Sequence, residues 1–85
     1  MALRNMTMAQ MARIDSCERQ VIIYIDRVGS GSVWAIRELV PPELFKTVMS
    51  DLVQRALALE TKNNLGEKCW FLTKTGKEKA QDLKG

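Results

Sequence analysis

The stretch PPELFKTVMSDLVQRALALETKNNLGEKCWFLTKTG, residues 41–76, sets a helix, a hairpin and the start of a second helix in immediate succession. Phe45, Met49, Leu52 and Ala56 recur at steps of four, three and four, the spacing of one apolar stripe on an α-helix, and Val48 and Val53 widen it. Glu43, Thr47, Ser50 and Gln54 repeat that spacing on the opposite side as a polar row facing outward. Pro42 suits the first turn of this helix, where its missing N–H costs nothing. Pro41-Pro42 also closes whatever helix precedes it, because the residue before a proline avoids the helical region. Downstream, Leu57-Ala58-Leu59-Glu60-Thr61 and Cys69-Trp70-Phe71-Leu72-Thr73 read as strands. The Asn and Gly residues between Lys62 and Lys68 tolerate the positive φ that a hairpin needs.

The order of these pieces resembles the second half of a winged helix-turn-helix domain. The motif is F-x-x-x-M-x-x-L-x-x-R-A-L from Phe45 to Leu57, a hairpin, and then W-F-L-T-K-T-G-K-E from Trp70 to Glu78. Leu72-Thr73-Lys74-Thr75-Gly76 matches the L-T-x-x-G with which the second strand of the wing ends in that family. The resemblance covers residues 16–84 and implies an α+β fold, a three-helix core with a two- to three-stranded β-wing and a C-terminal helix. One departure is Trp34, which stands where the family usually caps its second helix with Thr or Ser; Ser32 serves instead if that helix starts early.

The resemblance also implies a function, binding of double-stranded DNA by a transcriptional regulator, a repressor for instance, acting as a homodimer. Helix 43–56 would enter the major groove with Thr47, Ser50 and Gln54 toward base edges or phosphates, and Lys46 beside them. The basic wing 62–68 would supply Lys62, Asn63, Asn64 and Lys68, with Lys74, Lys77 and Arg37 as further backbone contacts. Small prokaryotic, archaeal and phage regulators have this size. The alternative from another class is a winged-helix protein-interaction module that meets a polymerase, replication or segregation partner through the same helix face. The acids Glu43 and Asp51 on the outer side, with Ile23, Met8 and Trp34 expected exposed, favour that alternative, and the recognition face lacks the arginine that most often reads guanine.

The totals agree with a single small folded domain. The chain has 85 residues, 46% hydrophobic and 27% charged, which is ordinary for a folded protein and wrong for disorder. A chain this short has a thin core that a dimer contact would help. Residues 1–61 hold seven Lys/Arg against seven Asp/Glu, while residues 62–85 hold six Lys against three acids. The whole surplus of +3 therefore lies in the wing and last helix, where it suits an anionic partner.

Before the quoted stretch the chain divides into a Met-rich segment, residues 1–14, and the domain proper, residues 15–85. Thr7 with Gln10 has the form of a capping box, predicting a short helix from Met8 to about Ile14. Asp15 with Glu18 predicts a second start, and helix one is then expected over Ser16–Val28 with Cys17, Val21, Tyr24, Ile25 and Val28 inward. Ile23 points the opposite way, with Ile22 at the margin. Met6, Met8, Met11 and Ile23 are the candidate dimer surface, since methionine fills irregular apolar contacts. Gly29-Ser30-Gly31-Ser32 is a structural turn, lacking the Gly-Lys-Ser/Thr ending of a phosphate loop. Val33 is expected as a minimal strand, Ala35–Val40 as a positioning helix, and Lys77–Leu83 as a last helix with Ala80 and Leu83 inward.

Catalysis has little to draw on. The chain has no His, its acids are scattered over predicted outer faces, and neither Cys17 nor Cys69 has a candidate base nearby in sequence. Two cysteines without His cannot complete a zinc site, and no cofactor motif appears. The chain is therefore read as a non-enzyme with no cofactor, metal or evident small-molecule effector. Without a signal peptide or membrane span it is expected in the cytoplasm, associated with the nucleoid.

Overall fold

A computed structural model describes residues 7–84. Four helices and a three-stranded antiparallel sheet follow one another as α1 (Met8–Val28), β1 (Gly31–Ser32), α2 (Val33–Arg37), α3 (Pro42–Gln54), β2 (Ala58–Lys62), β3 (Lys68–Leu72) and α4 (Lys74–Lys84). This is the expected α+β class. The sheet order is β1-β3-β2, so β3 is central and pairs Gly31 with Trp70 on one side and Glu60 with Trp70 on the other. No helix among the described residues is long and apolar enough to cross a membrane.

α1 differs most from expectation. The Thr7–Gln10 capping box forms as read, with Gln10 N donating to Thr7 Oγ1 at 3.1 Å and Thr7 N to Gln10 Oε1 at 3.0 Å. The helix then runs unbroken to Val28, so Asp15 and Glu18 start nothing and the expected boundary at 14/15 falls inside it. The reason is the buried stripe Ile14, Glu18, Val21, Ile22 and Ile25, which continues across that point and rewards one long rod over two short ones. Ile22 belongs to the core, Ile23 and Tyr24 are half-buried, and Val28 faces solvent, correcting the inward face by a fraction of a turn. Gly29 ends the helix with φ +103°, its N–H reaching Ile25 O at 2.7 Å.

The next elements begin earlier than read. Gly31 and Ser32, not Val33, form the minimal strand, and α2 starts at Val33 because the Ser32 hydroxyl accepts from Ala35 N at 3.2 Å. That helix ends at Arg37, so Leu39 and Val40 pack from the following turn. Pro42 opens α3 as expected, and Val48, Met49 and Leu52 are buried with Phe45 packed against them. Val53 is partly exposed, and Ala56 lies outside the helix with φ +59°. There it forms a left-handed cap, with Ala56 N on Val53 O at 3.0 Å and Leu57 N on Leu52 O at 2.9 Å.

That cap explains the L-T-x-x-G motif. Thr73 Oγ1 donates to Ala56 O at 2.5 Å and accepts from Gly76 N at 3.0 Å, so one hydroxyl ties the end of α3 to the start of α4. Thr73 N also donates to Leu57 O at 3.1 Å. A Cβ on Gly76 would sit 2.0 Å from that same Leu57 oxygen, so only glycine lets the two backbones approach. α4 consequently starts at Lys74, with Ala80 buried and Leu83 half-buried, as expected of both. Lys84 and Asp26 form an ion pair between α4 and α1.

The core is held by Trp70, the largest fully buried side chain, with Val21, Ile22, Ile25, Ile36, Val48 and Leu52 around it. Phe45 meets Trp70 edge-on, centroids 5.8 Å apart at 74°, and the Arg37 guanidinium lies 5.7 Å above the Phe45 ring. A chain of contacts thereby runs from sheet to α3 to α2.

Candidate nucleic-acid interface

The hairpin of β2 and β3 is stiffened at its tip by its own side chains. Asn63 Oδ1 accepts from Leu65 N at 2.9 Å and Glu67 N at 3.0 Å, while Asn63 Nδ2 donates to Glu67 Oε1 at 3.2 Å. Gly66 supplies a φ of +80° within this turn. Glu67 Oε2 in turn accepts from Trp34 Nε1 at 3.3 Å, so the tip is tied back to α2. Trp34 is nonetheless 68% exposed, serving the hairpin and facing solvent at once.

Between α3 and this hairpin lies a groove of about 510 Å³. Its floor is Phe45, Met49, Val53 and Trp70; its rim carries Arg37 from α2, Lys46, Ser50 and Gln54 from α3, and Lys68 from β3. Glu60 is the acid on that rim, 4.0 Å from Lys68 Nζ and too exposed for the pair to hold much energy. Three cations from three elements thus converge on one concavity beside the outer row of α3. Their positions depend on the long-range pairing of β2 with β3 and on Phe45, which seats Arg37.

Of the candidate residues, Arg37, Lys46, Ser50, Gln54 and Lys68 come together here. Lys62 stands across the ladder from Lys68, adding a second lysine near the tip. Asn64 and Lys74 are exposed but do not line the groove, and Asn63 is committed to the turn. Lys77 lines a separate hollow with Asp26, Gly29 and Phe71. Thr47 is half-buried and lines a different groove on the other side of α3, against α1. Of the candidate dimer residues, Met8 and Met11 are exposed, Ile23 is half-buried, and Met6 lies outside the described residues.

The second groove, of about 350 Å³, has the opposite chemistry. Asp15 and Glu18 from α1 face Asp51 from α3 across it, with Met11 and Ile14 as its apolar wall. Glu18 is 5% exposed. Its Oε1 accepts from Arg55 Nη1 at 3.1 Å, and the same nitrogen reaches Asp51 Oδ2 at 3.3 Å. Burial pushes the Glu18 carboxyl up to about 8, with Asp51 reinforcing the shift and Arg55 opposing it. Sequence reasoning missed Glu18 and Arg55 as partners. The signal was present for Glu18, since it sits four residues after Ile14 on the buried stripe; nothing local revealed Arg55 as the answering charge.

Cys17 and Cys69 are both free, half-buried and buried respectively. Burial raises the Cys17 thiol above its ordinary range, with Arg13 opposing, which makes it a poor nucleophile. Among the described residues no group of three His, Cys, Asp or Glu side chains could hold a metal ion. Neither family models, nor curated proteins, nor solved structures gave a match to this chain.

Proposed function

We propose that this chain binds double-stranded DNA as a winged helix-turn-helix regulator, with α2 and α3 as the helix-turn-helix and the β2–β3 hairpin as the wing. The observation that carries the reading is the convergence of Arg37, Lys46 and Lys68 around Ser50 and Gln54 in one groove. A helix with polar side chains outward, flanked by a stiff lysine-bearing hairpin, has the form of a major-groove reader with a phosphate clamp beside it. Lysines supply the affinity, and the hydroxyl and amide of Ser50 and Gln54 the base or phosphate contacts. A homodimer through the exposed Met8 and Met11 would double the contacts, and a nucleoid location would follow from DNA binding.

Salt titration of duplex binding tests this. A dimer making about six phosphate contacts gives a log–log slope of about −5, and a slope near zero removes the reading. The acidic groove on the other flank of α3 favours a second reading, a protein-interaction module. That reading requires association with a protein partner and no salt-dependent retention on duplex DNA.

A further inference from the structure

We propose that the outer edge of β2 is a self-pairing surface, on which a second copy of this chain adds its own β2 antiparallel about a two-fold axis at Thr61. The two three-stranded sheets become one, joined through reciprocal Glu60–Lys62 pairs, at a surface separate from Met8 and Met11.

β2 lies at the edge of the sheet and, among the described residues, pairs only with β3. Thr73 N donates to Leu57 O at 3.1 Å and Asn63 N to Glu67 O at 2.9 Å, so Leu57, Leu59, Thr61 and Asn63 spend their main-chain groups on β3. Ala58, Glu60 and Lys62 therefore turn N–H and C=O outward, and the strand is exposed from Leu59 to Lys62. Such a row is a template for another strand. Side chains that meet must share a face, which leaves few registers, and charge chooses among them. An axis at Glu60 or at Lys62 sets that residue against itself. An axis at Leu59 sets Glu60 opposite Ala58 and Lys62 opposite Ala56, which lies beyond the strand. Of the axes on β2, the one at Thr61 places Glu60 opposite Lys62 of the second copy, and symmetry repeats the pair.

Both charges are poorly answered within one chain. Lys62 stands directly across the ladder from Lys68, a like charge. Glu60 meets Lys68 only at 4.0 Å, with both side chains about half exposed. Lysine on an edge strand ordinarily keeps sheets apart, but a glutamate two residues earlier makes this edge complementary to itself. On the other face of the strand, Leu59 and Phe71 form an exposed cross-strand apolar pair, and Leu59 lies diagonal to Thr61 of the second copy. Glu60, Lys68 and Trp70 line the basic groove, and the axis runs perpendicular to the sheet, so the grooves of both copies open on the same side.

The test is sedimentation equilibrium of the full chain, free of DNA, at concentrations up to about 1 mM. We expect a monomer–dimer equilibrium with a Kd on the order of 100 μM, as suits a small polar contact. Glu60→Lys or Lys62→Glu alone puts like charges at both symmetric sites and should weaken it about 30-fold. Lys62→Glu also relieves the like pair with Lys68, so its loss of dimer is no failure to fold. An equimolar mixture of the two variants, in which every facing pair is again unlike, should dimerise like the parent. The register is read by oxidising Thr61→Cys in a background of Cys17→Ala and Cys69→Ala. At the axis the non-hydrogen-bonded strands approach to about 4.5 Å between Cα atoms, within disulfide reach, whereas Leu59→Cys in that background should stay uncrosslinked. A monomer throughout, single reversals without effect, a mixture that stays monomeric, or crosslinking at Leu59→Cys instead of Thr61→Cys overturns the proposal. So does a dimer that Met8→Ser with Met11→Ser dissolves. Because no nucleic acid is present, failure here leaves the duplex-binding reading standing, and the converse holds.

Discussion

The two grooves that flank α3 share Ser50 and Gln54 yet have opposite chemistry. On the hairpin side, Arg37, Lys46 and Lys68 rim an aromatic floor; on the α1 side, Asp15, Glu18 and Asp51 face one another over Met11 and Ile14. α3 contributes one charge to each, Lys46 to the first and Asp51 to the second, so the helix itself is nearly neutral in the comparison. What sets the sign on each side is the element packed beside it. The outer row of an amphipathic helix therefore does not define a partner until its neighbours are in place.

The largest effect should come from Gly76→Ala. Its Cβ would collide with Leu57 O, the point that holds the hairpin and α4 against the end of α3, so the basic groove would lose one wall. Urea unfolding should show a loss of about 4 kcal/mol, and a loss below about 1 would mean the backbones can part cheaply.

The acidic side breaks next, through pH. The folded-state pKa of Glu18 is raised above its unfolded value, so between about 4.5 and 8 the native state binds the extra proton. Stability must then fall as pH rises through that window and level off above it. Glu18→Gln should flatten the profile while leaving the fold intact; parallel curves for the two proteins would show that Glu18 is ordinary.

Reversing the basic side tests the sign directly. Lys46→Glu with Lys68→Glu should cut duplex affinity about 30-fold in a mobility-shift assay and leave the melting temperature within a few degrees, since both residues are exposed. Equal affinity would move any nucleic-acid contact elsewhere. The smallest effect expected is a gain. Ala56 occupies a left-handed cap that glycine fills without strain, so Ala56→Gly should stabilise the α3–β2 corner by about 1 kcal/mol.

Much of this was legible locally. Pro42, the Phe45-Met49-Leu52 spacing and the Asn-Gly-bearing loop located α3 and the hairpin to within a residue or two, because helix period and turn chemistry are short-range properties. The Thr7–Gln10 box was legible for the same reason. Asp15–Glu18 has the same form and proved to be helix interior; a cap signal is overridden when apolar burial continues past it. Ala56 kept the apolar spacing but fell outside the helix, since its backbone is spent on the cap that Thr73 recognises from seventeen residues away.

The candidate site divides along the same line. Lys46, Ser50 and Gln54 share a face of one helix by periodicity alone, so the sequence determined that they would point together. Which residues join them did not follow from spacing. Arg37 and Lys68 arrive because Phe45 stacks under one and the β2–β3 register carries the other, while Thr47 turns toward α1. Likewise Glu18 and Arg55 are 37 residues apart, and only packing of α1 on α3 makes them a pair. Hydrogen bonds and side-chain periodicity act within a few residues and can be read from the chain; the sign of a surface is a sum over elements brought together by burial, and that sum belongs to the tertiary structure.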